Sequence, residues 1–289
     1  MRNLAGFAII GLGGVLLGSY WLFATPRVDD LVLNMDAASI ERGSYLVNAG
    51  GCISCHEGVL EDGLSGGMAL ESEFGTFYAP NITPDNDTGI GGWQAKDFLL
   101  AMKHGRSPSG SFYFPAFPYR SYSGMTDEDV LDIATYLLSQ DAVSYQVPSH
   151  ETPVWLQRWM LAGWNKLANV LEGTPAEVDT SDPRVERGAY LARSLGHCGE
   201  CHTPRNSLGI TLQSQEFAGA TMGESHADEI DLEALANWSE DDFAFFLLLG
   251  MKPDGEFVGG EMEAVIEHNT STLNDEDRQA MAAFFKSER

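Results

Sequence analysis

Positive charge is scarce in this chain. Its 289 residues include 17 Lys and Arg against 42 Asp and Glu, a formal net charge of -25 at pH 7. Both halves are acidic, which excludes nucleic acid as a partner on electrostatic grounds. The surplus fits a solvated surface, or long-range steering of a basic partner. Strand patterning is also missing: no alternating run of useful length appears, so the chain reads as mostly helical. Long apolar runs are limited to one, residues 4–24. Cysteine is limited to four, and none stands alone.

All four cysteines fall in two pentads, Cys52-Ile53-Ser54-Cys55-His56 and Cys198-Gly199-Glu200-Cys201-His202. Cys-x-x-Cys-His is the attachment signature of c-type haem. Two thiols at this spacing add across the two vinyl groups, and the histidine that follows reaches the iron. A thioredoxin-like redox pair would use one such motif in an α/β pattern, without the trailing histidine. A zinc site would gather the four cysteines, yet the pairs are far apart in sequence and each has its own histidine. Paired cysteines two residues apart would form a strained loop and leave the histidines unexplained. The reading is two covalently bound haem c groups.

Residues 4–24 form an uncharged stretch long enough to span a bilayer as a helix, closing with Tyr20-Trp21. Arg2 before it and Asp29 and Asp30 after it favour an N-in orientation. A cleaved signal peptide is the rival, but Leu22-Phe23-Ala24 makes a poor cleavage site. Either way the remainder is exported, so the expected location is the periplasmic side of the inner (cytoplasmic) membrane.

An internal repeat organises the rest. Glu41-Arg42-Gly43 and Tyr45-Leu46 recur as Glu186-Arg187-Gly188 and Tyr190-Leu191. Trp93, Asp97, Phe98 and Gly105 recur as Trp238, Asp242, Phe243 and Gly250, and Asp127-Glu128-Asp129 recurs as Asp275-Glu276-Asp277. Such a repeat marks two copies of one unit. The division is 1–26 as membrane anchor or signal peptide, 27–38 as linker, 39–150 as the first haem domain, 151–183 as an interdomain helix and tether, and 184–289 as the second. Helices are expected over 94–104 and 240–249 and up to residues 138 and 285, with Thr126 and Asn274 as N-caps. In the connecting segment, apolar positions around Trp155, Leu156, Trp159, Met160 and Leu167 form a helical stripe. It suits interdomain packing, or docking onto another subunit or a membrane surface.

His56 and His202 are the expected proximal iron ligands. A carrier of positive potential wants a methionine sulfur on the other face. In the second domain Met262 stands 60 residues after His202, with Met222 and Met251 as alternatives. In the first domain the corresponding stretch holds Phe117, which cannot ligate iron. Met125 is assigned there, with Met68 and Met102 as alternatives, and an iron with no methionine remains the other option. His104, His150, His197, His226 and His268 receive no role. Arg42, Arg187 and Arg205 could pair with haem propionates, or with surface carboxylates.

With these segments laid out, the chain resembles the multi-haem cytochrome c subunits of membrane-bound bacterial alcohol, aldehyde and sugar-acid dehydrogenases. The likeness rests on the two pentads, Pro80-Asn81-Ile82-Thr83-Pro84-Asp85, Pro115-Ala116-Phe117-Pro118-Tyr119, Met125-Thr126-Asp127, Thr203-Pro204-Arg205-Asn206 and Gly259-Gly260-Glu261-Met262. It implies two tandem cytochrome c domains that pass electrons from a dehydrogenase toward quinone or a terminal oxidase. Relatives in these complexes often carry three haem domains, and commonly have methionine where this chain has Phe117. The leading expectation is an electron-transfer protein. Alternatives are a dihaem enzyme of the thiosulfate dehydrogenase or peroxidase type acting at the first haem, and a tethered shuttle between the bc1 complex and an oxidase.

Overall fold

The computed structural model describes residues 21–288 except 30, 60–62, 180 and 224. The predicted span over residues 4–24 therefore lies, up to residue 20, outside the described residues. Among those described, no helix is long and apolar enough to cross a membrane.

The first half holds α1 (Ala37–Ala49), α2 (Cys52–His56), the strands β1 (Ala69–Ser72) and β2 (Gly75–Tyr78), α3 (Ala95–His104), α4 (Tyr119–Tyr122) and α5 (Asp127–Leu138). A connecting helix, α6 (Leu161–Leu171), follows a single 3-10 turn. The second half repeats the order with α7 (Pro183–Tyr190), α8 (Gly199–His202), β3 (Ala220–Met222), β4 (Ser225–Ala227), α9 (Glu240–Leu249), α10 (Glu261–His268) and α11 (Asp275–Phe285). The fold is mostly helical, as expected.

Helix ends follow local chemistry. Thr126 and Asn274 accept from the backbone N–H of Asp129 and Asp277, capping α5 and α11. Gln94 with Asp97 and Ser239 with Asp242 form capping boxes on α3 and α9. Both helices end on a left-handed glycine, Gly105 and Gly250, which no β-carbon obstructs. The sequence reading missed the two hairpins. Each is a two-stranded antiparallel ladder of three or four residues per strand, too short for alternation to register.

Helices α1 and α5 cross closely at Gly43. A β-carbon there would lie 1.9 Å from the Asp132 carbonyl oxygen. Helices α7 and α11 cross in the same way at Gly188, 2.0 Å from the Ala280 oxygen. One hydrophobic core runs through both halves, from Leu46, Val47 and Ile133 to Leu195, Phe217 and Phe284. A smaller core of Phe77, Phe112 and Phe114 seats Leu161 and Ala162 of α6. The expected helical stripe is thus split. Trp155 and Trp159 stand in turns ahead of α6, and the helix packs through Leu161, Ala162 and Ala168, with Trp164 partly buried beside them. It ties the halves together through Trp164 Nε1, which donates to the Leu208 carbonyl at 2.8 Å.

The crossing glycines set a stability test. Gly43→Ala drives a methyl into rigid backbone and costs about 3 kcal/mol, whereas Gly163→Ala in α6, with nothing within 4 Å of the new carbon, gains about 0.5–1 kcal/mol. Thermal unfolding of the two variants should move in opposite directions.

Candidate haem sites

Each pentad is preceded by a residue with positive φ: Gly51 at 68° and His197 at 41°. This left-handed step turns the chain from the entering helix into the short motif helix. Glycine adopts it freely, whereas His197 holds it with its ring edge-on to Tyr122, 5.5 Å between centroids. Burial keeps the His197 imidazole below its usual range.

The hairpins now acquire a purpose. After the first motif, Gly66 N–H donates to the His56 carbonyl at 2.9 Å, and β1 and β2 carry the chain out and back. The returning strand sets the Pro80 carbonyl 2.8 Å from His56 Nδ1. In the second half Gly219 N–H donates to the His202 carbonyl at 2.9 Å, and the chain returns through β4 to put the Asp228 carbonyl 2.7 Å from His202 Nδ1. A carbonyl only accepts, so Nδ1 carries the proton in both rings and Nε2 keeps its lone pair. That is the tautomer an iron ligand needs, fixed by the carbonyl that Nδ1 donates to. Burial also lowers the pKa of both imidazoles, against a smaller opposing effect of the carbonyls. They are held neutral and oriented.

The cysteines fit covalent haem better than a redox pair. None is in a disulfide. Burial raises all four thiols, Cys52 and Cys198 to about 12. A thioredoxin-like dithiol needs the opposite shift. Among the described residues no three His, Cys, Asp or Glu gather as a set for a bare metal ion, which removes the shared zinc site. Beside the first motif, the hydroxyl of fully buried Ser65 has no partner among the described residues. A haem's polar edge would supply one. The residues present fit the group.

Each motif is bonded reciprocally to the opposite half. Ser54, third in its pentad, donates to Asn269 Oδ1 at 2.9 Å. Glu200, third in the other, accepts from Ser121 at 2.6 Å. Ser121 and Asn269 occupy matching places, four residues before Met125 and Leu273. A second exchange links the helices: Tyr45 donates to Asp277 at 2.6 Å and Tyr190 donates to Asp129. Asp277 also takes two bonds from Arg187 at 2.8 Å. In the first half the second task shifts one turn along, to Arg42 with Asp132 at 2.6 Å. Arg205 pairs with Glu200. The three arginines considered for haem propionates are therefore engaged with carboxylates.

The methionines do not occupy matching positions. Met262 is half-buried at the start of α10, next to Glu261, whose charge raises the Cys201 thiol. Met125 is 2% exposed within the main core, at the place Leu273 takes in the second half. Phe117 lies between Tyr113 and Tyr122, at centroid distances of 5.9 and 5.6 Å. Met251 forms a β-bridge with Phe257, matching Arg106 with Phe112; both serve the loop. Met68 is exposed, and Met102 is buried in α3. The five remaining histidines include His150, which accepts from Tyr78 N–H at 3.1 Å, and His226, beside Asp228 at 3.8 Å. An open groove of about 590 Å³, floored by Phe114 and Leu156, contains no motif residue.

Two attachment motifs, each with an oriented histidine and a helix crossing at glycine, define a c-type cytochrome. The cytochrome c family matches residues 40–141. A dihaem cytochrome c-type protein of Cereibacter sphaeroides is 40% identical, covering 98% of this chain and 96% of its own length. The gluconate 2-dehydrogenase cytochrome c subunit of Pantoea cypripedii and the fructose dehydrogenase cytochrome subunit of Gluconobacter japonicus are each 36% identical over 86% of this chain. The chain spans 59% and 52% of those two relatives. This chain belongs to the cytochrome c family, binds two covalent haem c groups and transfers electrons.

Asp277 gives the interface a pH dependence. Burial alone would raise its pKa, but Arg187 and Tyr45 outweigh it and hold the carboxyl below the usual range. A depressed folded-state pKa contributes stability above the ordinary carboxylate pKa, which is lost as pH falls through the depressed value. The stability gap between wild type and Asp277→Asn should be widest near neutral pH, about 2 kcal/mol, and should close on acidification.

Proposed function

We propose that the chain is a membrane-anchored electron relay on the periplasmic side of the inner membrane, built as two tandem cytochrome c domains. It takes electrons from a dehydrogenase subunit and passes them toward quinone or a terminal oxidase. The observation that carries this reading is the shared interface, which binds two attachment motifs into one body. Likeness to cytochrome subunits of gluconate and fructose dehydrogenases supports the choice of partner. The uncharged stretch at 4–24 supports the anchor.

Haem c, when bound, supplies a one-electron iron couple. The chain's own residues do the rest. Cys52, Cys55, Cys198 and Cys201 would hold the two haems through thioether links, and His56 and His202 would bind iron through Nε2. Met262 and Met125 are assigned as the sulfur ligands. The common core excludes water and resists relative motion of the halves, which keeps reorganisation small. No substrate bond is broken by the protein.

Addition of alcohols, aldehydes or sugar acids to membranes containing the chain should reduce its haem iron, read as growth of the ferrous α-band. Reduction by thiosulfate alone would overturn the dehydrogenase assignment and favour the enzyme reading. One observation favours that second reading: Met125 is the counterpart of Leu273, which cannot bind iron.

The ligand assignment separates them. Met262→Ala should open one iron to carbon monoxide and lower its potential. Met125→Leu keeps the packing volume and should open the other. A Met125→Leu protein spectrally identical to wild type would leave that residue a core side chain and the first iron without a sulfur ligand.

A further inference from the structure

The segment joining the two halves carries a face that no described element covers. Residues 152–171 contain no acidic residue, although Asp and Glu number 42 in the chain, and they include Arg158 and Lys166. One side of α6 is buried through Leu161, Ala162 and Ala168. The other presents Met160, Leu167 and Val170, spaced to share one side of the helix. Just ahead stand Val154, 93% exposed, Trp155, 59%, and Trp159, 64%. Two exposed tryptophans among aliphatic side chains, on an otherwise acidic surface, mark an interaction site.

The chain's own N-terminal segment indicates what covers this face. Leu22 packs on the same small core that seats Leu156 and Trp164. The Phe23 ring meets Phe112 edge-on at 6.4 Å, and the carbonyls of Phe23 and Ala24 accept from Arg106 at 3.3 and 3.4 Å. Lys166 Nζ lies 4.6 Å from the centre of the Trp21 ring. The residues that close the apolar stretch are thus fixed against α6, beside the exposed stripe. A bilayer entered by that stretch must pass next to Trp21. Tryptophan rings favour the membrane–water interface, and lysine and arginine there meet anionic headgroups. Elsewhere the surface charge would repel such a membrane; here it does not.

We propose that the face formed by Val154, Trp155, Trp159, Met160, Leu167 and Val170 seats on an anionic lipid bilayer. It acts as a second, monotopic contact that fixes the orientation of the haem domains above the membrane. The inference rests on the anchor reading given under Proposed function.

The full haem-loaded chain would be reconstituted into phosphatidylcholine–phosphatidylglycerol vesicles containing a lipid with a photoactivatable group near its glycerol backbone. Cross-linked peptides would then be mapped by mass spectrometry. Labelling is expected both within residues 4–24 and on peptides from 152–171. The second set should fall several-fold in pure phosphatidylcholine, and also in the Trp155→Ser/Trp159→Ser variant, whose haem spectrum should match wild type. Labelling confined to residues 4–24 would overturn the seat and leave the face to a protein subunit. A chain that neither labels at 4–24 nor floats with vesicles would remove the anchor, and the seat with it.

Discussion

Ser54 and Glu200 hold the same place in their two pentads, and each is bound to the opposite half rather than to its own. Tyr45 and Tyr190 repeat the exchange one layer away, on Asp277 and Asp129. These four bonds relate the halves by an approximate two-fold axis. Three of them end on a carboxylate, and hydrogen bonds to charged groups contribute about 1.5–3 kcal/mol each. Their larger effect is geometric. A slip of either half would strand buried polar atoms on both sides at once, so the interface has one register.

That register sets the spacing of the redox centres. Helix α10 begins at Glu261, close enough to Cys201 to perturb its thiol, and is followed by Asn269, which holds Ser54 of the other motif. That helix is eight residues, about 12 Å, long. The continuous core beneath the two motifs makes the arrangement stiff. Interdomain motion is the default where interfaces are small and polar; here one hydrophobic core runs through both halves. A continuous core joining the two attachment motifs suits a relay of single electrons.

Much of this was legible in the sequence, for reasons that can be named. The pentads declare covalent haem because the chemistry fixes both residue type and spacing. Helices α3, α5, α9 and α11 fall where caps and left-handed glycines announce them. What could not be read depends on contacts distant in sequence. The hairpins are too short to alternate, yet they return the Pro80 and Asp228 carbonyls to the two histidines. For Arg42, Arg187 and Arg205 the sequence left haem propionates and protein carboxylates both open, and only folding brings each a carboxylate partner. The repeat hinted at the axis; which residues cross it did not show. The Trp155–Leu167 stripe suggested one helix, whereas the chain turns twice before α6 and leaves both tryptophans outside.

The central claim is that both centres belong to one rigid body and share electrons within it. Pulse reduction of the oxidised protein, with less than one electron per chain, tests this directly. Redistribution between the two irons should follow the initial reduction at a rate independent of protein concentration. A rate that rises with concentration would mean that electrons move only between molecules, and would contradict the account.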